Sequence, residues 1–298
     1  MTRILGSLLV ALALVAVSSV ANRAEPLTRT VYVTVLDRNG APVPGLTAAD
    51  FSVKEAGKTR QVVEAAAAKA PMRIAILVDD NGTGIFRAAV VRFIQRLQGR
   101  AEFALSTVAG QHLKLVDYTA TSDALVEAIG QLSARPGTPD GGQLLEGIFE
   151  TAKDFEKRRA ERPVIVVLTV GGEEHSTLPA HHVLDELQKS GALLHVISFS
   201  ASALRSTVQA QNPAALLEAN LNLNEVLGDG PKQSGGGRDE LVAAAGLVFG
   251  LSQFAEHLIN QYAIAFVQPD DVKPFEKLAV SVKKPGVAVR APARMRGR

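Results

Sequence analysis

A short stretch in the first third of the sequence carries oxygen-bearing side chains at alternate positions. Asp79, Asn81 and Thr83 follow the apolar run of residues 74–78 and precede a stretch with helical periodicity that begins at Ile85. Carboxylate, amide and hydroxyl oxygens are the ligands that hard cations such as Mg²⁺ take in proteins. In an extended turn these three side chains can converge on one point. The stretch therefore predicts a cation site, with Mg²⁺ as the candidate cofactor.

The elements that must position this stretch alternate between strand and helix. Patterns typical of buried strands recur between residues 72 and 260 and are separated by amphipathic helical stretches and short turns. Such alternation favours a doubly wound, mainly parallel α/β sheet. In an open sheet of this kind ligands bind at the carboxyl ends of the strands. Residues 79–84, 137–142 and 170–174 all fall at such ends, and we call this set the crest.

One part of the predicted α/β domain has a different composition. Residues 202–238 are rich in Asn, Gln and Gly, which predicts a polar insertion in which residues 214–226 are helical. A lobe that binds a specific partner and a tolerated loop are both open interpretations of this insertion. After it, the sequence predicts one helix over residues 239–245 and a final helix over residues 251–260.

Strand patterns also lie on both sides of the α/β domain. Residues 28–68 and 261–292 each show the period-two alternation and the turn residues of antiparallel strands. About forty residues of antiparallel strand cannot bury a core alone. We therefore predict that the two segments pair in a small β-sandwich, with the α/β domain inserted between them. Two unrelated flanking sheets are the alternative.

The first residues have the pattern of an export signal. Arg3 precedes an apolar run over residues 4–17, and small residues at 19–21 allow cleavage after Ala21. Residues 1–21 thus predict a signal peptide and a periplasmic or secreted protein. An uncleaved anchor is the alternative, and it would be the protein's only contact with the membrane.

Composition excludes several function classes. The chain has no cysteine, which rules out thiol catalysis and thiolate metal sites. A formal net charge of +2 and the absence of tryptophan give no nucleic-acid signature. No nucleic-acid partner is therefore expected.

Several motifs resemble one known family. Residues 78–84 (Val-Asp-Asp-Asn-Gly-Thr-Gly) resemble the Asp-x-Ser-x-Ser signature of von Willebrand factor A (VWA) domains, with Asn81 and Thr83 in the serine places. Residues 33–53 are similar to the entry segment, and residues 261–290 to the exit segment, of the Acidobacteria-type exported VWA family. The resemblance implies a metal-ion-dependent adhesion site, in which a carboxylate of a protein partner completes the coordination of Mg²⁺.

The family's ligand set is incomplete in this sequence. Asp79 matches the first carboxylate, but the family's second carboxylate falls on Val170. The family's threonine falls on Gly142, and Thr138 lies several residues earlier. The resemblance therefore implies a degenerate site. Its candidate ligands are Asp79, Asn81, Thr83 and Thr138.

We expect an exported, non-enzymatic protein of the adhesion or scaffold type, which binds an unidentified protein partner through the crest. The residues expected to contact the partner are Asp80, Gly82, Gly142, Glu173 and Glu174. A VWA protein that binds its partner through Mg²⁺ is the first alternative.

Two further alternatives come from other classes. A periplasmic hydrolase would use Asp79 or Asp80 with His175 or His181, although no sequence pairing supports such an acid–base pair. A structural component of the envelope would leave the crest inert.

Overall fold

The computed structural model of the protein describes residues 27–132, 142–199, 213–268 and 275–295. The predicted signal peptide and Thr138 lie outside these residues. Among the described helices, none combines the length and apolar character that crossing a membrane requires.

The described chain begins with four strands. They are β1 (Thr28–Leu36), β2 (Phe51–Glu55), β3 (Lys58–Arg60) and β4 (Val62–Ala67). In β1 the side chains of Val31, Val33 and Val35 are buried, as expected when alternate positions of a strand face a core.

A six-stranded sheet forms the middle of the molecule. Its strands are β5 (Met72–Asp79), β6 (Ala101–Thr107), β7 (Leu113–Thr119), β8 (Pro163–Thr169), β9 (Leu193–Phe199) and β10 (Gly237–Leu241). The strand order is β10-β9-β8-β5-β6-β7, and every neighbouring pair is parallel except β6 and β7. Every residue of β8 is buried, because helices cover both faces of the sheet. The predicted doubly wound, mainly parallel α/β fold is confirmed.

Six α-helices pack on this sheet in the described part of the chain. They are α1 (Arg87–Leu97), α2 (Ser122–Gln131), α3 (Leu144–Arg158), α4 (Ala180–Ser190), α5 (Pro213–Ser234) and α6 (Ala245–Ile259). The apolar stripe of α1 packs with α2 and α6 in one core cluster, which contains Phe93, Phe103 and Phe254. Helices α3, α4 and α5 form the second cluster, which contains Phe155 and Val226.

Part of the prediction for residues 202–260 is wrong. Gly237–Leu241 is strand β10 and pairs in parallel with β9, where the sequence predicts a helix over residues 239–245. A single helix, α6, then covers Ala245–Ile259. In the predicted polar insertion, α5 buries Val226 and Leu227 in the second core cluster, so it is a crossover helix of the sheet. Residues 202–212 lie outside the described ranges.

The last strands return to the first ones. They are β11 (Tyr262–Val267), β12 (Leu278–Val282) and β13 (Ala288–Arg290). One sheet has the order β13-β1-β11-β4 and the other has the order β12-β2-β3. The strands of the two sheets share one apolar core, which includes Val33, Phe51, Phe266 and Leu278. Strands from residues 28–68 and 261–292 are thus hydrogen-bonded to each other in sheets. The limits of the domains stay a prediction.

Candidate functional site

The central part of the crest is the junction between the ends of β5 and β8. These strands are parallel neighbours, and their register pairs Asp79 with Thr169. The Thr169 hydroxyl donates to Asp79 Oδ2 at 2.6 Å, and the Val170 N–H donates to the Asp79 carbonyl at 2.9 Å. Asp79 is buried, and this burial raises the pKa of its carboxyl, an effect that the Thr169 hydrogen bond partly opposes. The carboxyl of Asp79 therefore lies beneath the surface of the crest.

The loop after β5 closes around the side chain of Asp80. The Gly82 N–H donates to Asp80 Oδ1 at 3.0 Å, and the Gly84 N–H donates to Oδ2 at 2.7 Å. The Thr83 hydroxyl donates to the Asp80 carbonyl at 2.8 Å. Asn81, Gly82 and Gly84 adopt positive φ angles of 52°, 71° and 69°, which let the chain turn this tightly. Asp80 thus organises the loop from inside, and burial is the main cause that raises the pKa of its carboxyl.

Gly142, which has no side chain, contributes its backbone groups to the same junction. Its N–H donates to the Glu173 carbonyl and its carbonyl accepts from the His175 N–H, both at 2.9 Å. A Cβ atom at position 142 would lie 3.5 Å from Asp79 Oδ1 and 3.3 Å from the Val108 carbonyl oxygen. A side-chain hydroxyl at this position would reach Asp79, but glycine supplies none.

Glu174 holds the first turn of α3. Its Oε2 accepts from the Leu144 N–H at 3.0 Å and its Oε1 accepts from the Leu145 N–H at 3.3 Å. These are backbone donors that the helix itself cannot satisfy, and the helix N-terminus favours a negative charge. Burial nevertheless raises the pKa of Glu174 to about 8, and the charges of Glu146 and Asp79 add to this effect. No local sequence pattern predicts this cap, because its partners lie 30 residues apart in the chain.

Several oxygens of the described crest are already engaged within the protein. Both carboxylate oxygens of Asp80 accept hydrogen bonds from the loop, and the hydroxyl of Thr83 donates to a carbonyl. Val170 is buried where the family's second carboxylate would lie. Thr138 lies outside the described residues. Within the residues that the structure describes, no group of three or more His, Asp or Glu side chains is arranged to hold a metal ion.

Burial corrects part of the predicted contact surface. Asp80 and Glu174 are only 1% and 2% exposed, so their side chains cannot contact a partner directly, and Gly142 is buried as well. Their carboxylates are used to hold the backbone in place. Gly82 and Glu173 are half-buried and remain accessible. The exposed positions of the described crest are Thr83, Gly171 and Gly172.

The acid–base pair of the hydrolase alternative is not assembled in the described chain. His175 Nε2 lies 3.6 Å from Glu173 Oε2, and the ring of His181 packs on the ring of His182 with centroids 4.3 Å apart. Neither His175 nor His181 is hydrogen-bonded to the carboxylates at the end of β5. The geometry that general acid–base catalysis requires is therefore missing between these four residues.

Comparison with known proteins finds solved structures with a similar fold. No protein-family model and no curated protein matches the sequence. A von Willebrand factor type A structure from Catenulispora acidiphila is 10% identical with a TM-score of 0.47, covering 93% of this chain and 75% of that chain. The von Willebrand factor domain of the type V pili tip protein Mfa5 from Porphyromonas gingivalis is 12% identical with a TM-score of 0.46, covering 70% and 99%.

A third similar structure contains a metal. Proximal thread matrix protein 1 from the mussel byssus, with a zinc-occupied adhesion-site motif, is 12% identical with a TM-score of 0.48. The likeness covers 68% of this chain and 50% of that chain, so the present chain spans about half the length of the mussel protein. The solved structures that resemble this fold thus include von Willebrand factor A domains, and at these identities the likeness extends to the fold alone.

Proposed function

We propose that the protein is a VWA-type interaction protein whose crest binds a protein partner without a metal ion. The observation that supports this most is the closed loop around Asp80, in which each carboxylate oxygen accepts a backbone N–H, from Gly82 and from Gly84. Such a loop is organised before any ligand arrives, which lowers the ordering cost of binding. We further propose that residues 1–21 direct the protein to the periplasm or the exterior.

The exposed part of the crest suits contact with another protein. Thr83, Gly171 and Gly172 present a small hydroxyl and bare backbone, while the carboxyl groups of Asp79, Asp80 and Glu174 are buried. Backbone N–H and C=O groups are strong hydrogen-bonding partners and need no cofactor. In the described part of the crest, no acid and base are paired as the hydrolase alternative requires, and we propose a non-enzymatic role.

A direct test of the metal-free proposal is isothermal titration of residues 22–298 with Mg²⁺ and with Mn²⁺. We expect no heat that depends on Asp79, because its Oδ2 accepts from Thr169 and the neighbouring Asp80 carboxylate accepts from its own loop. The Asp79→Ala variant is the control for binding elsewhere. Saturable heat that disappears in Asp79→Ala would contradict metal-free binding and would favour the Mg²⁺-dependent alternative.

Two glycines allow a matched test of the crest. A Cβ atom at Gly172 or at Gly228 would meet no other atom within 4 Å, so a larger side chain fits at both. Gly172 lies on the crest, whereas Gly228 lies near the end of α5 on the opposite edge of the sheet.

A photo-crosslinking amino acid at position 173 should form an adduct with a partner in the envelope of the producing cell.

Gly172→Arg should abolish this adduct and Gly228→Arg should leave it unchanged. An adduct that survives Gly172→Arg, or that both substitutions remove, would contradict binding at the crest. Circular dichroism of the purified variants checks that each one is folded.

A further inference from the structure

A cavity of about 310 Å³ lies at the end of the sheet opposite the crest. It is enclosed by the last turns of α4 and α5 and by the C-terminal segment of residues 292–294. Leu184, Leu187 and Ala192 supply apolar wall, and Lys277 and Arg294 also line the cavity. Ligand pockets have this composition, mostly apolar with a few polar groups that orient the ligand.

The walls of the cavity are joined by backbone hydrogen bonds. The Ala293 N–H donates to the Gln233 carbonyl at 2.8 Å, and the Ala293 carbonyl accepts from the Leu278 N–H at 2.7 Å. The Ser234 hydroxyl oxygen accepts from the Leu194 N–H at 2.9 Å. The C-terminal segment is thus attached both to α5 and to β12. A ligand would enter a pocket that is already formed.

The charge around the cavity is positive. Lys277 and Arg294 face each other in an antiparallel backbone bridge, so their side chains emerge from neighbouring positions. Arg294 Nη1 donates to the Phe275 carbonyl at 2.8 Å, and neither cation forms an ion pair within the described ranges. Among the described residues that line the cavity, none is acidic. The C-termini of α4 and α5 carry about half a negative charge each, which offsets only part of the two positive charges.

We propose that this cavity binds a small amphipathic carboxylate of the medium-chain fatty acid class. The alkyl chain would lie against Leu184 and Leu187, and the carboxylate would lie between Lys277 and Arg294. One water molecule occupies about 30 Å³ in the liquid, so roughly ten groups of that size fill the space. A neutral ligand of the same length would bring no negative charge to the two cations. The proposal is independent of the function proposed for the crest.

Methyl-resolved NMR of residues 22–298, with labelled leucine, tests the site directly. Titration with decanoate should shift the methyl signals of Leu184 and Leu187 in a saturable way. Leu217 and Leu221 of α5 are the internal control, because they are 62% and 61% exposed and would report non-specific contact. Decanol, which has the same chain without the charge, should bind about tenfold more weakly.

Substitution of Lys277 separates the charge from the apolar wall. Lys277→Gln should weaken decanoate binding by about fivefold and leave decanol binding unchanged. Lys54→Gln removes the same charge from an exposed position on the neighbouring strand β2, outside the cavity, and should change neither.

Three results would overturn the proposal. They are shifts at Leu217 and Leu221 as large as those at Leu184 and Leu187, equal affinity for decanol and decanoate, and equal effects of Lys277→Gln and Lys54→Gln. Thermal unfolding of both variants, in which each replaced side chain is exposed, establishes that a loss of binding is not a loss of folding.

Discussion

Single acidic residues at the crest work as structural groups. The carboxyl group of Asp80 holds a tight loop, and that of Glu174 holds the first turn of α3. Thr169 plays a similar part, since its hydroxyl donates to Asp79 and also accepts from the Gly171 N–H at 2.9 Å. A buried carboxylate needs such donors, because leaving it unsatisfied costs more than the hydrogen bonds contribute. The acidic residues that suggested a cation site thus have their partners in the protein itself.

Glu174 makes the stability of the protein depend on pH in a specific window. Its folded pKa of about 8 lies above the ordinary value of 4.5, so the folded state holds a proton that the unfolded state has lost. The stability that this group contributes is therefore complete below pH 4.5 and is lost as the pH rises to about 8. The slope for one group is about 1.4 kcal/mol per pH unit. Glu174→Gln should flatten the decline by that amount between pH 6.5 and 8, as measured by urea unfolding.

The neighbouring residue offers a control for this prediction. Glu173→Gln changes a half-buried carboxylate on the same loop and should leave the pH dependence parallel to that of the wild type. Glu174→Gln is also expected to be less stable overall, because an amide can accept only one of the two N–H groups that Glu174 accepts. Wild-type and Glu174→Gln curves that stay parallel from pH 6.5 to 8 would refute the assignment.

At the scale of elements, Arg162 connects the six-stranded sheet to the chain's terminal strands. Its Nε and Nη2 donate to Gln261 Oε1 at 3.2 and 2.8 Å, and Nη1 donates to the Ala70 carbonyl at 3.3 Å. The guanidinium lies 5.3 Å from the ring centre of Tyr32 in β1. Gln261 in turn donates to Thr34 at 3.2 Å. Burial lowers the pKa of Arg162 to about 10, which leaves it charged at neutral pH.

Arg162→Lys should destabilise the protein by about 2–3 kcal/mol, because lysine keeps the charge but cannot reproduce the planar fork of donors. Unfolding in guanidinium chloride measures the change in the free energy of unfolding. Arg73→Lys is the matched control, since Arg73 pairs with Glu102 in a partly exposed ion pair at 3.0 Å and should change stability by less than about 1 kcal/mol. Equal effects of the two substitutions would show that Arg162 is no anchor.

At the scale of the whole molecule, two histidines lie where the α/β sheet meets the terminal strands. His257 Nε2 lies 2.9 Å from the Gly40 carbonyl, and His195 Nε2 lies 3.1 Å from Asp239 Oδ2. The Nδ1 atoms of both rings are buried without a hydrogen-bond partner among the described residues. Burial is the main cause that lowers the pKa of His195 and of His257 below the ordinary 6.5. Both rings are therefore neutral in the folded protein at neutral pH.

The lowered pKa values of these two histidines predict that the protein loses stability in mild acid. A lowered folded pKa contributes stability that is present above pH 6.5 and is lost as the pH falls, because only the unfolded chain then takes up the proton. His257→Gln keeps a donor for the Gly40 carbonyl and should reduce the acid slope between pH 6.5 and 5.5 by up to about 1.4 kcal/mol per pH unit. Urea unfolding at several pH values measures it.

Glu174 acts in the opposite direction below pH 6.5, so each variant is compared with the wild type rather than with a flat line. His182→Gln, which replaces an exposed ring, should leave the slope unchanged. If His257→Gln and His182→Gln alter the slope equally, the junction between the sheet and the terminal strands has no part in the acid response.

Local patterns predicted much of the fold. The strand runs that became β5 and β8 are apolar over most of their length and end in turns, so periodicity alone places them in a covered parallel sheet. Periodicity does not predict strand β10, because its residues Gly-Arg-Asp-Glu-Leu lie at the sheet edge and contain no apolar run. Its partner β9 decides its conformation, and that contact is not visible in the local sequence.

By itself, the sequence determined the sheet, the position of the crest at the strand ends and the absence of a second carboxylate at Val170. Only the tertiary structure decided what the remaining acidic residues do. The sequence allows Asp80 to be an exposed contact residue or a buried acceptor. In the structure, the positive φ angles of its loop direct the N–H groups of Gly82 and Gly84 toward it. Glu174 meets α3 across 30 residues of sequence. The physical reason is that burial and hydrogen-bond partners depend on distant chain segments, whereas strand periodicity is a local property.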